Sequence, residues 1–226
     1  MTRELPIFPL PLVLFPGVPQ ALHIFEPRYR ELLSDCLAAD RRFGIARADG
    51  DGEDAVPRTG QAGCIALIRS TQPLPDGRSN IVTVGEERFV LQAWLPTDRP
   101  YRIARVAAFD DDPPEDAASV DTLAAEVRRG FGRLVAALAL LADRAPDTGD
   151  LPQDPGLLSF HVAAALDLDL DAKQTLLESR QVAARLRHLA AVLATMAPDA
   201  EERATVHGRS RGNGKGGAHP HIERTS

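Results

Sequence analysis

Apolar positions along the 226-residue chain change period once. Up to about residue 110 the apolar runs are short and broken by Gly and Pro, as in strands joined by tight turns. Strands are predicted at Leu5–Leu10, Gln20–Phe25 and Phe43–Ala46, then at 63–71, 79–84, 87–94 and 101–109. Phe15-Pro16-Gly17-Val18 has Pro and Gly where a turn wants them, and Pro75-Asp76-Gly77 marks a hairpin. Residues 48–59 are polar and rich in Gly and Asp, and read as a loop. One helix interrupts the strands. Glu26-Pro27 opens it, because proline suits a first turn, and Tyr29, Leu32, Leu33, Cys36 and Leu37 follow at helical spacing. Many short strands with one early helix predict a small, partly closed barrel.

Beyond the charged, proline-bearing Asp110–Asp116 the period becomes helical. Leu123, Val127, Phe131, Leu134, Leu138 and Leu141 fall on one face of a long helix. Asp154-Pro155 is an N-cap followed by a proline at the first helical position. Asp171, with Gln174 three residues on, is expected to cap the next helix. Val182, Leu186, Leu189, Leu193 and Met196 mark the last. Past Pro198 the chain turns polar, then rich in Gly, Arg and His, and is expected to be disordered. The predicted organisation is a barrel over 1–110, a helical subdomain over 117–200 and a disordered basic tail over 203–226.

The apolar opening, LPIFPLPLVLFPGVPQALHIF, invites comparison with an export signal or a membrane span. Five prolines within fourteen positions argue otherwise, since each interior proline costs a helix about 3 kcal/mol. The uninterrupted apolar run also falls well short of the roughly 20 residues that span a bilayer. Two short strands fit better, and their prolines place them at a sheet rim.

Charge narrows the partners. The formal net charge is −6, with a net +4 on residues 203–226 and so −10 on residues 1–202. An acidic body is unsuited to neutralising phosphates, which counts against a dedicated nucleic-acid binder. Cys36 and Cys64 form no CxxC pair and read as small buried hydrophobes, in keeping with a reducing cytoplasm.

The search for catalysis returns little. There is no G-x-S-x-G elbow. Ser159 and His161 lie two apart, which points them to different sides of a helix. Lys173 sits in the first turn of an exposed helix, unlike the buried lysine of a Ser–Lys dyad. GRSRGNGKG over 208–216 mimics a phosphate loop, but its spacing is wrong and no Ser or Thr follows Lys215. No metal-ligand motif and no cofactor fingerprint stands out.

A resemblance goes further. Leu5-Pro-Ile-Phe-Pro-Leu10, the turn Leu14-Phe-Pro-Gly17 and Ile24-Phe-Glu-Pro-Arg-Tyr29 resemble the opening of the Lon protease N-terminal, substrate-binding domain family. Gly85-Glu-Glu-Arg88 is similar to a later strand of that family. So are Leu158-Ser159, Lys173-Gln174-x-Leu-Leu177-Glu178 and Arg185-Leu186 farther on. The resemblance covers about 4–198 and is weakest over 110–152. It implies an α+β fold, a PUA-like β-barrel with one helix followed by an α-helical bundle. The chain looks like a free-standing bacterial N-domain without the ATPase and protease domains of full-length Lon. Its implied role is non-catalytic binding of unfolded or client polypeptides, alone or as an adaptor for a separate protease. RNA binding is the alternative, because PUA-like barrels occur in RNA-modifying proteins. Client contacts are expected from strand edges and from Phe15, Phe25, Tyr29 and Phe89, each of which also reads as core. Arg28 and Arg88 carry two readings as well, ligand contact or structural ion pairing. No catalytic residue, cofactor or metal is implied.

Overall fold

The computed structural model describes residues 2–48, 56–114 and 116–212. Strands β1 (Thr2–Leu10), β2 (Pro19–Ile24), β3 (Arg42–Arg47), β4 (Ala62–Pro73), β5 (Ser79–Leu95) and β6 (Arg102–Ala108) enclose one helix, α1 (Pro27–Ala38). Four helices follow, α2 (Ala117–Leu141), α3 (Pro155–Ala165), α4 (Leu170–Glu178) and α5 (Val182–Gly212). The fold is α+β, as expected. The sheet runs β2-β5-β4-β3-β1-β6, and β6 pairs back onto β5. Five strands therefore close into a barrel, while β2, among the described residues, pairs only with β5 and stays outside the closure.

The two strands expected over 79–84 and 87–94 are one. The first half of β5 holds β2, and its second half holds β6. It turns between these partners with the help of three register shifts, two against β4 and one against β6, since bulges bend a strand. Gly85 marks the crossing. A Cβ there would lie 2.1 Å from the Phe15 carbonyl oxygen. Gly85 N–H donates to Val18 O, and Gly17 N–H donates to Gly85 O. The expected turn is present: Val18 N–H reaches Phe15 O at 3.2 Å, and Gly17 has φ +76°. The hairpin at Gly77 (φ +81°) also forms.

The rim expectation holds for β2 and fails for β1, which lies between β3 and β6. The reason is a change of partner. Residues 2–7 pair antiparallel with β6, and residues 7–10 pair parallel with β3. Pro6 lies in the first stretch and Pro9 in the second. Each falls where β1 has a strand on one side only, the setting in which sheets tolerate proline.

Inside the barrel Leu5, Ile7, Ile65, Phe89, Leu91 and Val106 form one cluster. Gly44 and Gly63 make room for the Phe89 ring: a Cβ on Gly63 would meet its Cζ at 2.4 Å. A second cluster joins the α1 stripe Tyr29, Leu32, Leu33 and Cys36 to Phe8, Phe43 and Ile81, leaving Leu37 exposed. Both cysteines are buried and unpaired. Burial first, with the nearby carboxylates of Asp40 and Asp35, pushes the Cys36 thiol up to about 12.

Three helical expectations need correction. Asp169, not Asp171, caps α4, accepting from Ala172 N–H at 2.7 Å. Asp171 lies inside the first turn and pairs with Arg47 instead. The buried face of α2 runs through the small residues Ala124 and Ala137, which leaves Leu138 45% exposed. Finally, α5 continues through Pro198 to Gly212, ten residues into the segment expected to be disordered. Buried Ala200 and Ala204 prolong its apolar face past the proline. Residues 213–226 lie outside the described part.

The chain divides into two compact units, Met1–Ala124 with Leu151–Arg187, and Ala125–Asp150 with His188–Ser226. This division differs from the expected one at 110–117, because α3 and α4 go with the barrel. Among the described residues, no helix is long and apolar enough to cross a membrane.

Candidate functional site

Four of the six residues expected to meet a client lie in the interior. Phe15 and Phe89 are each 1% exposed, and Tyr29 and Arg88 are also buried. Phe15 stacks on Phe160 of α3, while Tyr29 lies against Phe8 with the Arg28 guanidinium over its ring. Arg28 is half-buried and pairs with Glu26 at 2.8 Å. The Glu26 side chain makes no capping bond to α1, so its contribution to the helix start is the ion pair and its backbone.

Arg88 anchors a network that explains why α3 and α4 belong with the barrel. Its Nη1 donates to Leu177 O and Ser179 O at 2.6 and 2.7 Å, and its Nη2 donates to Asp111. Arg185, fully buried, donates through both terminal nitrogens to the same Asp111 carboxylate and through Nε to Ser159 Oγ. The Arg185 guanidinium also lies 4.2 Å from the Phe160 ring centroid. Burial pulls the Arg88 guanidinium down from its ordinary value, against the opposing field of Asp111. Nearby, Gln174 Nε2 donates to Ala62 O, and the Glu178 carboxylate accepts from Ala62 N–H and from Gln174. The scattered motif residues Arg88, Ser159, Gln174, Glu178 and Arg185 therefore bind the helices to the strands. Ser159, the one serine weighed as a nucleophile, spends its hydroxyl on Gly156 O and Arg185.

Phe25 is different. It is 57% exposed, at the end of β2. The His23 ring stacks on it with centroids 6.0 Å apart. Across the outer face of β2, β5 and β4 the register forms two rows of three, Ala21–Val82–Ser70 and His23–Asn80–Gln72. None of the six is a Lys, Arg, Asp or Glu, and they line a shallow depression of about 340 Å³. Val82 is 40% exposed, and His23 Nδ1 lies 2.7 Å from Asn80 Oδ1. This face brings together residues that sequence reasoning missed. The available signal was the lack of any charge in Pro19–Phe25, a pattern that a buried strand shares. Among the described residues no three metal-ligating side chains gather.

The matching family model is described as the ATP-dependent protease La (LON) substrate-binding domain, and it covers residues 4–195. The chain belongs to the Lon substrate-binding domain family. It is 30% identical over 195 residues to Lon protease 2 of Herpetosiphon aurantiacus, covering 85% of this chain and 24% of that protein. Lon protease 1 of Thermus thermophilus is 28% identical over 195 residues, again 24% of its length. The chain thus spans about a quarter of the length of the curated relatives it matches. A Lon N-terminal domain protein from Xanthomonas campestris superposes with a TM-score of 0.60 at 26% identity, over 84% of this chain and 98% of that one. The N-terminal domain of Mycobacterium avium complex Lon protease does so at 0.66 and 22% identity, over 85% and 99%, which speaks for the fold alone.

Proposed function

We propose that this Lon-type domain is a non-catalytic module that captures unfolded or client polypeptide segments in the cytoplasm and hands them to a separate protease. The observation that carries this reading is Phe25, a large aromatic side chain 57% exposed beside an uncharged sheet face, in a chain of a substrate-binding family. An exposed aromatic next to a shallow surface without Lys, Arg, Asp or Glu is the kind of anchor that polypeptide interfaces use. Arg28, half-buried three residues on and paired with Glu26, is proposed as a polar contact for the same segment.

The test is a fluorescence-anisotropy titration with a reduced, carboxymethylated protein as the unfolded probe. Wild type is expected to bind at micromolar concentration without ATP. Phe25→Ser is expected to weaken binding about tenfold while leaving the melting temperature unchanged. Absence of binding at high micromolar wild-type protein would sink the proposal.

A further inference from the structure

The outer edge of β2 suggests how such a segment would be held. Val18 O accepts from Gly85 N–H, and the register sets Val84 against Pro19 and Val82 against Ala21. In an antiparallel ladder, hydrogen-bonded and non-bonded pairs alternate. Gln20, Leu22 and Ile24 therefore bond to β5, while Ala21 and His23 turn their N–H and C=O groups to the open side. No strand pairs with that side among the described residues. Exposed edges are usually guarded by Lys, by Pro, by a bulge or by a cover; PQALHI has no Lys, Arg, Asp or Glu and no bulge, and its Pro19 guards only the first position. Beyond Pro19 the edge has a neutral guard: Gln20 Nε2 donates to Ala21 O at 2.9 Å.

Resting on the polypeptide-binding reading above, we infer that the domain takes extended, uncharged, strand-forming segments by adding them to the open edge of β2, with Gln20 as a displaceable cover on the Ala21 carbonyl. An incoming backbone N–H takes the place of the Gln20 amide. The segment's own carbonyls accept from Ala21 and His23 N–H. Its side chains on the outer side extend the two uncharged rows, and an aromatic or aliphatic group among them meets Phe25. Charged side chains lose solvation there and find no partner in those rows, so segments carrying them are disfavoured. The guard also makes capture weak and reversible, because each association replaces one neutral hydrogen bond by another.

The edge can be altered without touching the β2–β5 ladder. Ala21→Pro removes an N–H that points away from β5, which edge strands tolerate. Gln20→Ala removes the guard. The probe is a fluorescein-labelled nine-residue peptide of alternating Thr and Val, titrated against the full chain. Ala21→Pro, with its urea midpoint within error of wild type, is expected to weaken binding about tenfold. Gln20→Ala is expected to tighten it about three- to tenfold. Replacing every Thr by Glu, or every Thr by Lys, is expected to abolish binding. A well-folded Ala21→Pro that binds like wild type overturns the inference. If Ala21→Pro fails to fold, unchanged affinity of Gln20→Ala overturns it. A Gln20→Ala protein that dimerises in sedimentation, and whose dimer the peptide does not dissociate, overturns it in favour of a second copy on the edge. Loss of binding in Phe25→Ser with none in the edge variants rejects edge pairing and leaves polypeptide binding standing. Wild type that binds neither the peptide nor carboxymethylated protein rejects both.

Discussion

Asp111 pairs with two buried guanidinium groups through one carboxylate. Removing it strands Arg88 and Arg185 in the interior. Asp111→Ala is therefore expected to destabilise the fold by about 3–5 kcal/mol, read from urea unfolding, while Asp110→Ala at its exposed neighbour is expected to change little. The motif residues Arg88, Ser159 and Arg185 were legible in sequence. Their shared partner was not, because nothing sets Asp111 apart within a run of three aspartates. The six client candidates show the same limit: Phe15 and Phe25 look alike in sequence, and only packing distinguishes 1% from 57% exposure. Cys36 carries a second residue-level prediction. Its thiol is held at about 12 in the fold against an ordinary 9.0, so the unfolded chain ionises first. Its contribution to stability is intact below pH 9 and is lost as pH rises towards 12. Tyr29 and Tyr101 are raised as well, chiefly by burial, and act in the same direction. The urea midpoint should fall between pH 8.5 and 11, and a thiol reagent at pH 8 should label neither cysteine until the chain unfolds.

Elements were more legible than their limits. The strands, the early helix and the Asp154 cap all follow from local chemistry, and the Asp154 side chain does accept from Leu157 N–H at 2.7 Å. Boundaries failed where tertiary packing outweighed a local signal. Pro198 signals a stop, but the alanines beyond it are buried, and their packing carries α5 onward. Pro198 is thus a stability deficit within a helix that forms regardless. Pro198→Ala is expected to raise helix content and to add about 1–3 kcal/mol, measured by circular dichroism and thermal melting. A substitution that leaves both unchanged would mean that α5 is already relieved at that turn.

Strand order decided what the whole molecule leaves open, and no window of sequence contains it. That β2 is the strand left with an open edge depends on β5 reaching past it to β6, a pairing between distant residues. The surface so left open carries no charge, although residues 1–202 are acidic overall. Polypeptide affinity should therefore vary by less than about twofold between 50 and 500 mM salt, since screening acts on charged pairs. A steep salt dependence would place the binding surface elsewhere.

The partner switch of β1 has a consequence in time. Thr2 pairs with Ala107, so the strand cannot be completed until about a hundred further residues have been made. At a synthesis rate of about 5–20 residues per second, that wait lasts roughly 5–20 s. During it, an apolar segment of high strand propensity is open to other nascent chains. Pro6, Pro9 and Pro11 obstruct just that kind of cross-chain stacking. In the finished barrel Pro6 and Pro9 lie where β1 has a strand on one side only; during synthesis the three prolines are expected to act as gatekeepers against aggregation.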